Sequence, residues 1–593
     1  MCGLVAAVWR RPEVEHTDRV RRACDQMFLR GPDADGLWES GPVSLGHRRL
    51  AILDPTSRSD QPMVSASGRF RIVFNGEIYN FHQLRSRLQQ RGIQFRTSSD
   101  TEVLLELFEI HGPGMLSMLR GMFTMAIWDG VSRQLFVARD PYGIKPLYVT
   151  SGPHGVVVAS QVRALLATGL LSGDPDPWGQ ATYWLTGSVA EPHTWFAGAR
   201  SFPPGHFAWV DESGMRTPVC WHSVADDFVN TAPQPIAQTR DQVIEAVRSS
   251  VAAHHVSDVP VGVFLSGGID SGAIAGLLSA LQDRPVQAIT LRFGEFEGTI
   301  ADETSAARVI AGTYGLDHHV RVVTQAEFRE DRPRILADMD QPSVDGVNSW
   351  YASKAIAELK LKVALSGVGG DELFQGYGHM STLPRLVAAS ALLSRLPGWS
   401  RVSHSLASAQ ASRSGNPRWL EFPDRLGSLP GSWLARRGLF AVSELSSLMG
   451  EDLAREATSR ASVQDWIERQ FPESPVDPRV TMSLIESRMY LRNQLLRDSD
   501  WASMAHSVEL RTPLVDVELL GDVAPYLASL RHFKGKTLLA AAPTPPLSDA
   551  IVQRPKTGFA IPVQQWLGAG AGATEHPTRE WAREVASAYA STN

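Results

Sequence analysis

The sequence predicts two α/β units in one chain: a layered α/β or α+β unit over residues 1–205, and a parallel sheet covered by helices on both faces over 236–567. Three observations predict this. The first third consists of short apolar or alternating runs separated by turn residues. The part after about 236 repeats the order strand, glycine-rich turn, helix, strand. The length, 593 residues, exceeds what one hydrophobic core organises.

In the first unit, VSLGHRRLAIL, FRIVFNGEIYN, MFTMAIWDG, QLFVARDPYG and GVVVAS read as strands. HQLRSRLQQRG and TEVLLELFEIHG carry apolar residues at i, i+3 and i+4 and end in glycine, the mark of helices. Periodicity fades over 206–235, where TAPQP predicts an exposed linker. Beyond it, RDQVIEAVRSSVAAHH reads as a helix, VPVGVFL as a buried strand, SGGIDSGAIAGLLSALQ as a turn and helix, and VQAITLRF as the next strand. KLKVALSGVGGDELF repeats the passage from strand to glycine turn. Residues 380–480 read as helical without legible chemistry, and 568–593 as a marginally ordered tail.

Charge excludes some partners. Lys and Arg number 57 against 63 Asp and Glu, a net −6, so no basic surplus exists to neutralise a phosphate backbone and nucleic acid is not an expected partner. No run of about 18 apolar residues occurs, and in MCGLVAAVWRR the charges follow the apolar stretch, the reverse of a secretory signal. A cytoplasmic protein with no membrane partner is expected. The three cysteines, Cys2, Cys24 and Cys220, form neither a disulfide framework nor a zinc pattern.

Cys2 stands out by position. Removal of Met1 would leave it with a thiol and a free α-amine, which titrates near pH 8 and can take the thiol proton. A cysteine at position two is by itself more often chance. Asn75 and Gly76, in NGEIYN after a predicted strand, offer a side-chain amide and a backbone amide to an oxyanion, although an NG pair alone is more often a hairpin turn. Arg49 in GHRRLAILD and Asp100 in SSDTEV supply the cation and anion that a free amino acid requires. Either alone is more often a surface charge.

Taken together, MCG, RGPD at 30–33, HRRL, NGEIYN, SDTE and RDPYGIKPLY at 139–148 resemble, in order and spacing, the N-terminal glutaminase of class II amidotransferases. The resemblance implies an N-terminal-nucleophile (Ntn) hydrolase fold, an αββα sandwich. It makes Cys2 the nucleophile, Asn75 and Gly76 the oxyanion hole, and Arg49, Glu77 and Asp100 glutamine ligands. Leu29 and Gln161 depart from its usual histidine and glutamate, the second with an expected effect on communication between domains.

SGGIDS at 266–271 lies between a strand and a helix. Its glycines let the backbone approach a phosphate, its amides and the helix N-terminus supply partial positive charge, and Asp270 is a carboxylate suited to magnesium. The loop resembles the pyrophosphate loop of ATP-cleaving enzymes that form adenylates, and it lacks the GK[ST] of a Walker loop. SGVGGDELFQGY at 366–377, LRDSDWASMAHSVELRTPLVD at 496–516 and RPKTGFAIPVQQWL at 554–567 resemble segments of asparagine synthetases. That resemblance implies a doubly wound ATP-pyrophosphatase domain with extra helices. It implies ATP ligands at Leu265, Ser266, Gly267, Gly268, Asp270, Ser271, Ser366 and Gly367, and Mg2+ at Asp270 and Asp371. It also gives Lys536 a catalytic role on phosphorus, where the plain reading is a solvated lysine.

The two sites imply one reaction. A carboxylate does not condense with ammonia until adenylation replaces its oxygen with AMP, and ammonia must travel unprotonated through an enclosed passage. The expected partners are glutamine and a carboxylic acid, with a homodimer as the assembly considered. Asparagine synthetases usually carry an acidic residue where this chain has Val368, which can neither bind an ammonium nor accept a proton. DQPSVDGVN at 340–348 also departs from their pattern and resembles enzymes of cell-surface polysaccharide and secondary-metabolite pathways. An acceptor other than aspartate is therefore expected ahead of aspartate. Intramolecular closure of the β-lactam synthetase or lasso cyclase type, and a catalytically silent binding protein, are the alternatives.

Overall fold

The computed structural model describes all residues except 12–14, 231–233, 235, 460–462, 472–476, 534–535, 558–560, 568–576 and 591–593.

The N-terminal unit is four layers deep. The strand Gly3–Trp9 lies between its neighbours Val43–Arg49 and Gly155–Ala159 in a six-stranded antiparallel sheet. Its side chains alternate. Leu4, Ala6 and Val8 face a second antiparallel sheet, meeting Val73, Ala126 and Val137, while Val5, Ala7 and Trp9 face the helix His16–Gln26 through Val20 and Cys24. The second sheet has its own outer layer, where Phe74, Met125 and Phe136 bury against Leu84 and Leu104 of the helices Phe81–Gln90 and Asp100–His111. Period-two alternation thus gives both sheets two apolar faces, and the result is the expected αββα sandwich.

The boundary after this unit lies later than the sequence suggested. His206–Asp211, expected within the linker, is a strand paired antiparallel with Gln134–Arg139. Ala208 and Val210 face the space between the sheets, and Phe207 and Trp209 face the outer helical layer. The alternation is real but only six residues long. TAPQP falls largely outside the described residues.

The second unit contains a five-stranded, all-parallel sheet. Its spatial order is Asp317–Val323, Gln287–Phe293, Val261–Phe264, Val363–Leu365, Glu509–Arg511. Helices Ile236–His254 and Ile269–Ser279 cover one face through Val247 and Ile274, and Val347–Glu358 covers the other through Ala352 and Ile356. Strand order reverses beside Val261–Phe264, so a topological switch point lies between it and Val363–Leu365. Both predicted glycine turns leave the carboxyl ends of these two strands, where doubly wound sheets bind ligands.

The described residues between 380 and 480 are mostly helical, as expected. The expected tail is corrected over Pro577–Ala590, a helix that buries Trp581, Ala582, Val585 and Tyr589. The Tyr589 hydroxyl donates to the Met339 carbonyl at 2.6 Å, and Tyr183 of the N-terminal unit donates to the Ala582 carbonyl at 2.7 Å. Trp581, Val585 and Tyr589 at i, i+4 and i+8 make the apolar stripe responsible.

Candidate active sites

Cys2 is 8% exposed at the start of the strand Gly3–Trp9. Its amide donates to Asn75 Oδ1 at 2.9 Å, and its carbonyl accepts from Arg30 Nε at 3.0 Å. Burial pushes the thiol up, against the pull of the amino-terminal ammonium, the Leu50 amide and Arg49, while Glu77 adds to the push. Asn75 and Gly76 are not in a turn after a strand. They lie inside the strand Phe70–Ile78, and a Cβ on Gly76 would stand 2.1 Å from the Met122 carbonyl of the paired strand, so the close approach demands glycine.

The expected glutamine ligands are distributed unequally. Arg49 is buried and donates to Asp60 at 2.7 Å and to the carbonyls of Leu53, Asp54 and Thr56. Asp100 opens its helix after the N-cap Ser99 and accepts the Ile78 amide at 3.1 Å. Burial raises its carboxyl to about 6, although the Ile78 bond opposes this. Glu77 points to the domain interface, 3.6 Å from Arg511.

That interface contains residues that sequence reasoning missed. With Met1 in place, its ammonium pairs with Glu509 at 2.6 Å, both groups fully buried, and Met1 Sδ contacts Lys145 Nζ. Glu509 also accepts from Arg511 at 2.6 Å. Arg30 grips Asp500 with two bonds of 2.6 and 3.1 Å, and Arg120 grips Asp516 with two of 2.9 and 3.0 Å. Gln161 precedes a helix whose first amides, Val162 and Arg163, donate to Asp340 at 3.0 and 3.1 Å, and Gln341 accepts from the Trp195 amide. The helix that follows Gln161 and the segment 340–348 therefore meet across the interface. RGPD and VELR contained the signal, but an isolated charged residue does not announce a partner hundreds of positions away.

The second site is a cavity of about 680 Å³ lined by Leu265, Ser266, Gly267, Gly268, Asp270, Ser271, Ser366, Gly367, Asp371 and Lys536. All the expected nucleotide residues converge on it. Lys536 is not a solvated lysine: it is 8% exposed and contacts Asp270 and, at 2.5 Å, Asp371. Burial raises the Lys536-facing carboxyl of Asp270, whereas at Asp371 the cations Lys536 and Lys556 outweigh burial and lower it. A Cβ on Gly376 would stand 2.1 Å from Asp371 Oδ1 and 2.3 Å from Lys536 Cε, so glycine there permits this packing.

A magnesium ion fits this donor set. Asp270 Oδ1 is buried without a hydrogen-bond partner among the described residues. No cluster of three or more His, Cys, Asp or Glu is found among those residues, and magnesium usually takes one or two carboxylates with waters and substrate phosphates completing its shell. Further lining residues missed from sequence are Arg554, which lies 3.6 Å from Glu303, and Lys556, which lies 2.6 Å from Asp371. RPKTGF drew attention to both without revealing which way they point.

The cavity is also lined by Val368, Tyr377, Tyr490, Asp345 and Asp498. Tyr490 and Leu495 come from Ser487–Leu496, a π-helical stretch of the kind often found at functional sites. The Arg437 guanidinium lies 3.7 Å from the Tyr490 ring centre and 4.7 Å from that of Tyr377. Burial, and then the neighbouring Asp345, raise Asp498 to about 7.

Residues 1–221 match the model of the glutamine amidotransferase domain, and residues 242–592 match that of asparagine synthase, so the protein is a glutamine-hydrolysing ligase. The chain belongs to the asparagine synthase family. It is 34% identical to a putative glutamine-hydrolysing asparagine synthetase of Mycobacterium tuberculosis, over 96% of this chain and 89% of that protein. It is 30% identical to glutamine-hydrolysing asparagine synthetase 1 of Bacillus subtilis, over 99% and 90%. It is also 27% identical to a Gibberella zeae protein named amidase chry2, over 93% and 86%.

Proposed function

We propose that the chain frees ammonia from glutamine at Cys2 and transfers it to a carboxylate activated by ATP as an acyl-adenylate, giving glutamate, AMP, pyrophosphate and a carboxamide. The observation that carries this reading is the buried lysine-dicarboxylate cluster of Lys536, Asp270 and Asp371 beside the SGGIDS loop, in the same chain as a buried thiol at position two.

In the mature chain the Cys2 α-amine takes the thiol proton, and the thiolate attacks the glutamine carboxamide carbon. Asn75 and the Gly76 amide hold the oxyanion, Arg49 the substrate carboxylate and Asp100 its ammonium. In the synthetase unit the 266–271 amides and Lys536 hold phosphate oxygens. Asp270 and Asp371 would hold magnesium, whose charge offsets that of the phosphates when bound. Ammonia passes between the sites as the neutral molecule. Support for an enclosed route comes from one continuous apolar cluster that includes Leu50, Ile52 and Met122 on one side and Leu496, Val515 and Leu265 on the other.

The acceptor is read as an acid other than aspartate because Val368, packed at the edge of that cluster, offers neither charge nor proton acceptor where an acidic residue serves aspartate chemistry. Mass spectrometry of products from ATP, magnesium, ammonium and a panel of carboxylic acids tests this. Another acid should turn over under conditions where asparagine is not formed, and substantial asparagine formation would reverse the assignment.

A further inference from the structure

Between Glu372 and Glu421 the sequence contains no acidic residue, in a protein whose net charge is −6. The same stretch carries Arg385, Arg395, Arg401 and Arg413, all exposed and none ion-paired among the described residues. It forms the helices His379–Leu393 and Trp399–Ser414, joined by the turn at 394–398. This pair leaves the cavity wall two residues after Tyr377.

Met380 and Leu383 are buried, but five of its larger apolar side chains face outward. Leu392 is 66% exposed, Leu396 55% and Leu406 62%, with Leu386 and Val402 also exposed. Within Trp399–Ser414, only Ala407 is fully buried. Trp399, Val402 and Leu406 fall at i, i+3 and i+7, one stripe along the helix. Packing inside the protein accounts for none of these leucines.

We propose that this helix pair is a docking surface for an anionic lipid membrane. Helices that lie in a membrane interface carry Leu, Phe or Trp on one face and Lys or Arg on the polar face. Each Arg near an anionic surface is worth about 1 kcal/mol, a ratio of about fivefold in binding. The four arginines outnumber Asp424, which pairs with His404 at 3.2 Å, so a second copy of the chain fits poorly: its matching surface would carry the same positive excess. The exposed leucines extend over both helices and the turn rather than converging on a groove. A lipid interface accepts such a surface without a matching contour, as an acidic protein would not. Association of this kind is peripheral, and no helix among the described residues is long and apolar enough to cross a membrane.

Cosedimentation of the full chain with vesicles tests the proposal. Vesicles of phosphatidylcholine mixed with phosphatidylglycerol should carry the protein down, and phosphatidylcholine alone should not. Binding should be lost at about 1 M salt, where the screening length is about 3 Å. Each of Arg385→Gln, Arg395→Gln, Arg401→Gln and Arg413→Gln should weaken it about fivefold. Leu392→Ser with Leu396→Ser should abolish it while the thermal unfolding midpoint stays unchanged. The proposal is overturned by no binding, by equal binding to both vesicle types, or by binding that ignores these substitutions. It is equally overturned if the leucines drive self-association or capture of an acidic protein while vesicles are ignored.

Discussion

The Arg511 guanidinium stands 3.6 Å from the Glu77 carboxylate of the glutaminase unit, and the Arg511 backbone carbonyl accepts the Ser366 amide, at the mouth of the second glycine turn, at 2.9 Å. One residue therefore touches the strand that holds Asn75 and the loop that lines the nucleotide cavity. It is fully buried, and its guanidinium also donates to Glu509 at 2.6 Å.

Replacing Arg511 with methionine leaves two buried carboxylates facing each other without it. Breaking a buried pair in this way costs about 3–5 kcal/mol, so urea unfolding should show a loss of that order. The ratio of glutamate formed to carboxamide formed should also rise above one, because a loosened interface leaks ammonia. A ratio that stays at one would show that Arg511 acts in stability alone.

Cys2→Ala should lower glutamine-supported synthesis by at least about a thousandfold, as loss of a nucleophile does. Ammonium-supported synthesis should remain within a few-fold of the parent. Loss of both, in a protein that still unfolds cooperatively, would argue against separate sites.

Asp270→Asn leaves Lys536 one carboxylate poorer and removes a magnesium ligand. Pyrophosphate release from ATP should fall by about a hundredfold or more, while glutamine hydrolysis continues. Unchanged pyrophosphate release would remove Asp270 from the reaction.

The pH dependence of glutamine hydrolysis should report Asp100. Its folded pKa of about 6 lies above the ordinary value of 3.8, so the folded state holds the extra proton between those limits. This group's contribution to stability is therefore greatest below about pH 4 and declines as pH rises through 6. Binding an α-ammonium needs the ionised form, so kcat/KM for glutamine should fall about tenfold per unit below about pH 6. Asp100→Asn should be less active and should lack this inflection. A parent profile that is flat from pH 5 to 7 would be incompatible with the role, since such profiles report the free enzyme's essential groups.

Local chemistry made much of the site legible. A thiol at position two, glycines followed by aspartate after a buried strand, and an NG pair within a strand-like run are each ambiguous alone, and their order and spacing along the chain made them readable together. The strand His206–Asp211 and the helix Pro577–Ala590 were harder to read. The first is short, and the second gains its order from Met339 and Tyr183, far away in the chain.

By itself the sequence determined the two units, their layer patterns and the chemical groups at each centre, because hydrophobic period and loop composition act over a few residues. Only the tertiary structure decided that Glu77 faces Arg511, that Arg30 holds Asp500, that Lys536 is buried between Asp270 and Asp371, and that the leucines of 386–406 face outward. The physical reason is that charge pairing and burial depend on distance in space. Residues hundreds of positions apart become neighbours only when both sheets and their covering helices have packed.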